Sequence, residues 1–295
     1  MRRLGIAVLW LLWRWLPTAA LCRLGEWLGA LLHALAGTRR RIGLTNLRLC
    51  FPDMDEAARS RLLKSHFRAL GRATLLESVS WWAPRADVEK LTRIEGIEHV
   101  RPYLGKPLIW LAPHFVGLNI GGVRITAEFA PIVSLYARIK NPHLNRLMLH
   151  ARTRFGEVGR QSEMYSRQDG IKPVIRAIRK GLPFYYLPDM DFGRKDAVFV
   201  PFFGVPAATV TGLSRLARAT GAVVVPCVTG WHDGGFVTRL YPAWSDFPTD
   251  DVTADTRRMN AFIEARILEM PEQYFWLHKR FKTQPEGAKG SLYGD

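Results

Sequence analysis

The sequence predicts an α/β fold, a central mixed, partly parallel sheet flanked by helices, behind an N-terminal hydrophobic membrane-anchor helix. Three observations carry this. From about residue 92, short apolar runs of strand type alternate with runs of helical period; that alternation is the mark of an α/β layer. The first 37 residues are apolar and hold four tryptophans, Trp10, Trp13, Trp15 and Trp27. Between these two regions lies one long amphipathic segment with apolar residues at helical spacing, Leu62, Leu63, Phe67 and Leu70.

In chain order, residues 1–37 read as a membrane anchor, either one short tilted span or two helices lying in the interface. A spanning helix needs about 20 apolar residues with few charges, and Arg14, Arg23, Glu26 and His33 interrupt this stretch. Tryptophan suits the headgroup boundary, where its ring is buried and its N–H stays wet. If the segment spans, Arg39, Arg40, Arg41 and Arg48 outweigh Arg2 and Arg3 and keep the body cytoplasmic. The competing reading is an ordinary buried helical pair.

The long helix starts at Asp53 or Asp55, both good N-caps. Then "PLIWLA" (107–112) predicts a strand, 118–129 a helix, "APIVSLYA" (130–137) a strand and "GIKPVIRAIRKG" (170–181) a helix closed by Gly181. "PFYYLP" (183–188) is a strand, "TGLSRLARATG" (211–221) a helix ending at Gly221, and "AVVVPCVTGW" (222–231) a strand. "WHDGG" (231–235) reads as a hairpin turn. Residues 253–269 form a last helix, stopped before Pro271. Residues 38–284 are thus one domain, and 285–295 a flexible tail.

The formal net charge is +16, which favours acidic partners: nucleic acid, an anionic membrane, a phosphorylated substrate or an acidic carrier protein. No zinc-finger spacing, RNP motif or basic zipper supports nucleic acid. The three cysteines are odd in number and lack CxxC spacing, so they read as thiols. No GxSxG elbow, P-loop or dinucleotide fingerprint is present. Neither a cofactor nor a metal is expected, since Asp189 and Asp191 of "PDMD" alone are a weak metal motif.

"LIWLAPHFVGLNIGG" (108–122) carries the candidate chemistry. His114 follows Pro113 at the end of a strand, where open α/β sheets present their ligands. Gly117, Gly121 and Gly122 allow close approach of backbone or substrate. A histidine there can act as a general base on a hydroxyl, although a satisfied structural imidazole is the commoner case.

"NLRLCFP" (46–52), "APHFVGLN" (112–119), "YARIKNPHLN" (136–145), "SRQDGIKPVI" (166–175), "YYLPDMDFG" (185–193), "VFVPFFGVPAATVTG" (198–212) and "PEQYFWLHKRFKT" (271–283) together resemble the bacterial lipid A biosynthesis acyltransferases of the glycerolipid acyltransferase superfamily. The resemblance covers nearly the whole chain. It implies a glycerolipid acyltransferase-like fold and transfer of a lauroyl or myristoyl chain from acyl carrier protein to a hydroxyl of a phosphorylated lipid acceptor. It also implies a location at the cytoplasmic face of the bacterial inner membrane, against its anionic surface. In the superfamily's His-x4-Asp/Glu motif the acid orients the base, but here that position is Asn119. An amide can accept Nδ1–H yet supplies no charge to an imidazolium, so if the amide is merely a weaker orienter, Asn119→Asp is expected to hold or raise the rate. Alternatively, Asp189 or Asp191 folds close and substitutes. Arg167 matches the arginine of the second motif and would grip a phosphate or the carrier's phosphopantetheine, the plainer reading being a solvated arginine beside Asp169. Arg138 and Asn141 either line the same cleft or make turn contacts, and Phe199, Phe202 and Phe203 either wall an acyl groove or belong to the sheet core. Two further readings stay open: a catalytically weakened relative that only binds acyl-lipid or carrier protein, and an acyltransferase acting on another membrane lipid.

Overall fold

Proline at position 17 divides the amino terminus into two helices, α1 (Arg2–Trp15) and α2 (Thr18–Leu35), because the residue before a proline is pushed out of the helical region. The structure, a computed structural model, describes residues 2–155, 161–288 and 290–294. After α3 (Gly37–Cys50), the side chain of Asp55 accepts the Ala58 N–H and caps α4 (Glu56–Trp82). Leu21, Gly25 and Gly29, four residues apart on α2, are buried against α4. A Cβ at Gly29 would meet the Phe67 carbonyl oxygen at 2.1 Å, and one at Gly71 the Gly25 carbonyl oxygen at 2.2 Å. The two helices therefore touch backbone to backbone.

No helix among the described residues is long and apolar enough to cross a membrane. The spanning form of the expected anchor lacks support: Pro17 breaks the apolar stretch, and one face of α2 is committed to α4. The other face remains apolar and outward, with Trp27, Leu32 and Leu35 exposed, as is Trp15 at the end of α1.

A short helix, α5 (Arg85–Leu91), leads into β1 (Thr92–Glu95). The chain then runs through β2 (Leu108–Leu111), α6 (Leu118–Phe129), β3 (Val133–Tyr136), α7 (Pro142–Thr153), β4 (Glu163–Ser166), α8 (Lys172–Arg179) and β5 (Phe184–Tyr186). A hairpin follows, β6 (Ala197–Phe202) and β7 (Val205–Val210), then α9 (Gly212–Thr220), β8 (Val223–His232), β9 (Gly235–Leu240) and α10 (Val252–Glu269). Among the described residues, seven strands form one sheet in the order β1-β9-β8-β2-β5-β3-β4, parallel except for the β8–β9 hairpin, whose turn at Asp233 and Gly234 has both φ values positive. All four residues of β2 are fully buried, as a strand covered on both faces must be. The β6–β7 hairpin stands apart as a two-stranded sheet. Phe202 lies in the core beneath it, and Phe203 packs on Phe51 with ring centroids 5.1 Å apart.

A strap after α10 returns beneath the sheet's carboxyl end. Asn46 of α3 donates through Nδ2 to the carbonyls of Trp276 and His278, both at 2.7 Å, and accepts the Tyr293 hydroxyl at 2.5 Å. Tyr293 in turn accepts the Phe281 N–H and is only 4% exposed. The tail expected to be flexible is thus pinned at Tyr293, because a phenol can bury its ring while its hydroxyl is satisfied; Lys289 and Asp295 lie outside the described residues.

Gly29→Val should lower thermal stability by about 2 kcal/mol or more, since backbone atoms cannot yield to the added side chain. Gly37→Ala, with nothing within 4 Å of the new methyl, should leave the midpoint nearly unchanged. Equal melting midpoints for both variants in a thermal scan would show that the α2–α4 seam does not hold the helices together.

Candidate active site

Adjacent parallel strands bring the two polar groups of the site together. β2 pairs with β5 in a register that sets Leu111 beside Tyr186, and Ala112 N–H extends the ladder by donating to the Tyr186 carbonyl at 2.8 Å. Both chains then meet a proline, Pro113 and Pro188, which has no N–H to continue pairing. The next residues are His114 and Asp189. The His114 backbone N–H donates to Asp189 Oδ2 at 2.8 Å, and its ring Nδ1 lies 2.6 Å from Oδ1. A carboxylate only accepts, so Nδ1 carries the proton and Nε2 is left as the acceptor. Asp189 is 1% exposed, whereas the His114 ring is 22% exposed. Burial acts to raise the Asp189 carboxyl, but the imidazole charge and the hydrogen bonds outweigh it and hold the group below the usual range.

The strap braces this pair from behind. Phe275 N–H donates to the His114 carbonyl, and Val116 N–H to the Gln273 carbonyl. Gln273 is itself fixed by two hydrogen bonds to the backbone of Trp231 in β8. Gly121 lets α6 close on β8, where an added Cβ would meet Thr229 Oγ1 at 2.0 Å. The close approach allowed there is to the Thr229 side chain and not to a substrate.

In front of the ring opens a cavity of about 1120 Å³, above the common range of about 300–1,000 Å³ for ligand clefts. Leu118, Leu135, Met148, Leu149, Met164 and Ile175 give it apolar walls, and Arg167, Lys195 and Arg215 contribute cations. The apolar wall comes from α6, β3, α7, β4 and α8. Phe199, Phe202 and Phe203, one expected source of a groove, do not line it.

The other expected residues divide clearly. Asn119 lines the cavity but does not touch Nδ1 of His114: it lies within the first turn of α6, and its Oδ1 accepts from Arg152 Nη2 of α7 at 2.9 Å. The orienting partner of the ring is therefore Asp189, a correction to the spacing argument. Arg167 also lines the cavity, its guanidinium stacked 4.2 Å from the Phe192 ring centroid. Asp191 is not presented to a substrate. It is buried, accepting from Thr283 N–H, Thr283 Oγ1 and Gly193 N–H, and so clamps the strap. Arg138 is exposed, 3.8 Å from Asp169, and outside the cavity lining. Asn141 makes the turn contact, capping α7 by accepting from His143 and Leu144 N–H. Among the described residues, no group of three or more His, Cys, Asp or Glu side chains is placed to hold a metal ion.

Arg152, Lys195 and Arg215 line the cavity without having been marked by the sequence, and Arg152 is the one that touches Asn119. It falls on the stripe Leu144, Met148, Arg152 of α7, and a cation at helical spacing on an apolar stripe was the available signal.

The model of the family described as "Bacterial lipid A biosynthesis acyltransferase" matches residues 2–283. Among curated relatives, the lipid A biosynthesis palmitoleoyltransferase of Escherichia coli K12 is 34% identical over 294 residues, covering 98% of this chain and 93% of that protein. The lauroyltransferase of the same organism is 36% identical over 290 residues, with 97% and 92% covered, and its myristoyltransferase 32% identical over 279 residues, with 90% and 81% covered. Among solved structures, a 1-acyl-sn-glycerophosphate acyltransferase from Thermotoga maritima aligns over 85% of this chain and 96% of its own at 15% identity, with a TM-score of 0.37. The family model over residues 2–283 and the curated relatives at 34% and 36% identity lead to one conclusion: the chain belongs to the bacterial lipid A biosynthesis acyltransferase family and is an acyltransferase.

Proposed function

We propose that the protein carries out a secondary acylation in lipopolysaccharide synthesis, moving an acyl chain from the thioester of acyl carrier protein to a hydroxyl of a phosphorylated lipid A-type acceptor. His114 Nε2 takes the hydroxyl proton while the oxygen bonds to the thioester carbon. The tetrahedral intermediate collapses, the C–S bond breaks, and the imidazolium returns the proton to the leaving sulfur. Asp189 holds Nδ1–H throughout and offsets the positive charge that the ring acquires. The observation that carries this reading is the double hydrogen bond from His114 to buried Asp189 beside a cavity with apolar walls. It also removes the main support for a catalytically weakened relative, since the ring has a carboxylate partner whatever stands at position 119.

The net charge of +16 suits an acidic carrier protein, a phosphorylated acceptor and an anionic membrane. We propose further that α1 and α2 lie in the cytoplasmic face of the inner membrane, their outward apolar face inserted at headgroup depth. On that arrangement, Trp27→Glu combined with Leu32→Glu should reduce flotation with vesicles containing anionic lipid by about tenfold or more. Unchanged flotation would exclude this face as the contact.

With acyl carrier protein thioester and a lipid A precursor, His114→Ala should abolish transfer by the full-length chain. Asp189→Asn should cut kcat by about 10³–10⁴, by analogy with loss of the orienting acid in a serine-protease triad. Full turnover by Asp189→Asn would overturn the mechanism. A wild-type chain that binds carrier protein but transfers to no acceptor would favour the weakened relative. Mass spectrometry of host lipids with and without the gene identifies the acceptor through the acyl chain that is lost.

A further inference from the structure

Asn119 and Arg152 make a corner of the cavity that offers only donors. A guanidinium cannot accept a hydrogen bond, so the contact at 2.9 Å fixes the orientation of the amide, with Oδ1 toward Arg152 and Nδ2 turned away. Among the described residues, no acceptor meets Nδ2, and no carboxylate lies within ion-pairing distance of Arg152. Both residues line the cavity that His114 faces. Behind them, half-buried Glu77 of α4 acts on Arg152 through space, but burial pushes its carboxyl up to about 7 despite the guanidinium, so at neutral pH it offsets only part of that charge. Burial also opposes the charge on Arg152 itself, which an arginine nonetheless retains. Against apolar walls such a charge is weakly screened and acts strongly on a nearby anion.

We propose that Asn119 and Arg152 form a subsite for a phosphoryl group of a bound substrate, and that the amide at position 119 leaves Arg152 available for it. The proposal rests on the acyl-transfer reading and names where one phosphate of the reactants is held. The donor set fits: the remaining guanidinium N–H groups and the amide Nδ2 can each donate to a phosphate oxygen. An aspartate at 119 would replace that donor with acceptors, pair with Arg152 and repel the phosphate. This reverses the expectation, drawn from motif spacing, that Asn119→Asp holds or raises the rate.

Two sources supply the same chemistry, a phosphate on the lipid acceptor and the phosphodiester of the carrier's pantetheine arm. Steady-state kinetics of full-length wild type and Asn119→Asp would compare the acceptor with its dephosphorylated form, and acyl carrier protein with an acyl-pantetheine lacking phosphate. Asn119→Asp should raise KM for one phosphorylated substrate roughly 10- to 100-fold with kcat within a few-fold, and removing that substrate's phosphate should erase the difference between wild type and variant. Loss confined to the acceptor assigns the subsite to the lipid; loss confined to the donor assigns it to the pantetheine arm. An unchanged KM for both substrates, or a fall in kcat alone, overturns the subsite while leaving His114 and Asp189 untouched. Calorimetric titration of His114→Ala with phosphorylated acceptor, and separately with acyl carrier protein, gives the same comparison without turnover. If neither titration weakens in the His114→Ala, Asn119→Asp double variant, the proposal fails even where the chemistry proves different.

Discussion

Asp189 holds a charge where water scarcely reaches it, and much of the molecule is arranged to make that charge tolerable. An isolated buried carboxylate is costly enough that it would ordinarily take up a proton. Here one residue, His114, answers both oxygens, one through its backbone N–H and one through its ring. That geometry needs the ends of β2 and β5 at the same height, which the parallel ladder and the two prolines after the strands provide. It also needs the β2–α6 turn held rigid, and the strap at 271–283 supplies this through Gln273 and Phe275. The strap is in turn secured by Asn46 and Asp191, each hydrogen-bonded at the far end of the chain. Sequence blocks that touch no cavity thus serve the site by fixing the position of one ring.

The same organisation separates two electrostatic tasks within one cavity. Asp189 offsets positive charge on the imidazole from behind, deep in the protein. Arg152, Arg167, Lys195 and Arg215 bring positive charge to the cavity itself, where anionic substrate groups would lie. A carboxylate at position 119 would mix these roles by meeting the Arg152 cation inside the cavity. With an amide there, the base keeps its acid and the cavity keeps its cation.

Much of the fold was legible because local rules decide it. The strand–helix alternation, the Asp55 cap, Gly221 at the end of α9 and the Asp233–Gly234 turn follow from periodicity and backbone preference, and each stands where its residues indicate. His114 was legible for the same reason, as a polar residue closing an apolar strand. Its partner was not, because Asp189 is 75 positions away and becomes a neighbour only when β5 inserts between β2 and β3. No local pattern encodes that strand order. The Asn119 reading failed because four intervening residues, measured along the chain, said nothing of where the first turn of α6 would aim the side chain. At the amino terminus, hydrophobicity was plain in the composition, but the decisive feature was a stripe of small residues that lets α2 press on α4. Tyr293 stands in a segment of tail-like composition, where a single aromatic gives no periodic signal of its burial.

The ring pairing can be observed directly, without substrate. A proton held between imidazole Nδ1 and a buried carboxylate gives a proton NMR resonance shifted far downfield and protected from solvent exchange. One such resonance is expected for His114 in the full-length protein, lost in Asp189→Asn and retained in Asn119→Ala. A resonance that survives Asp189→Asn but vanishes in Asn119→Ala would mean that the amide, and not the buried acid, holds the ring.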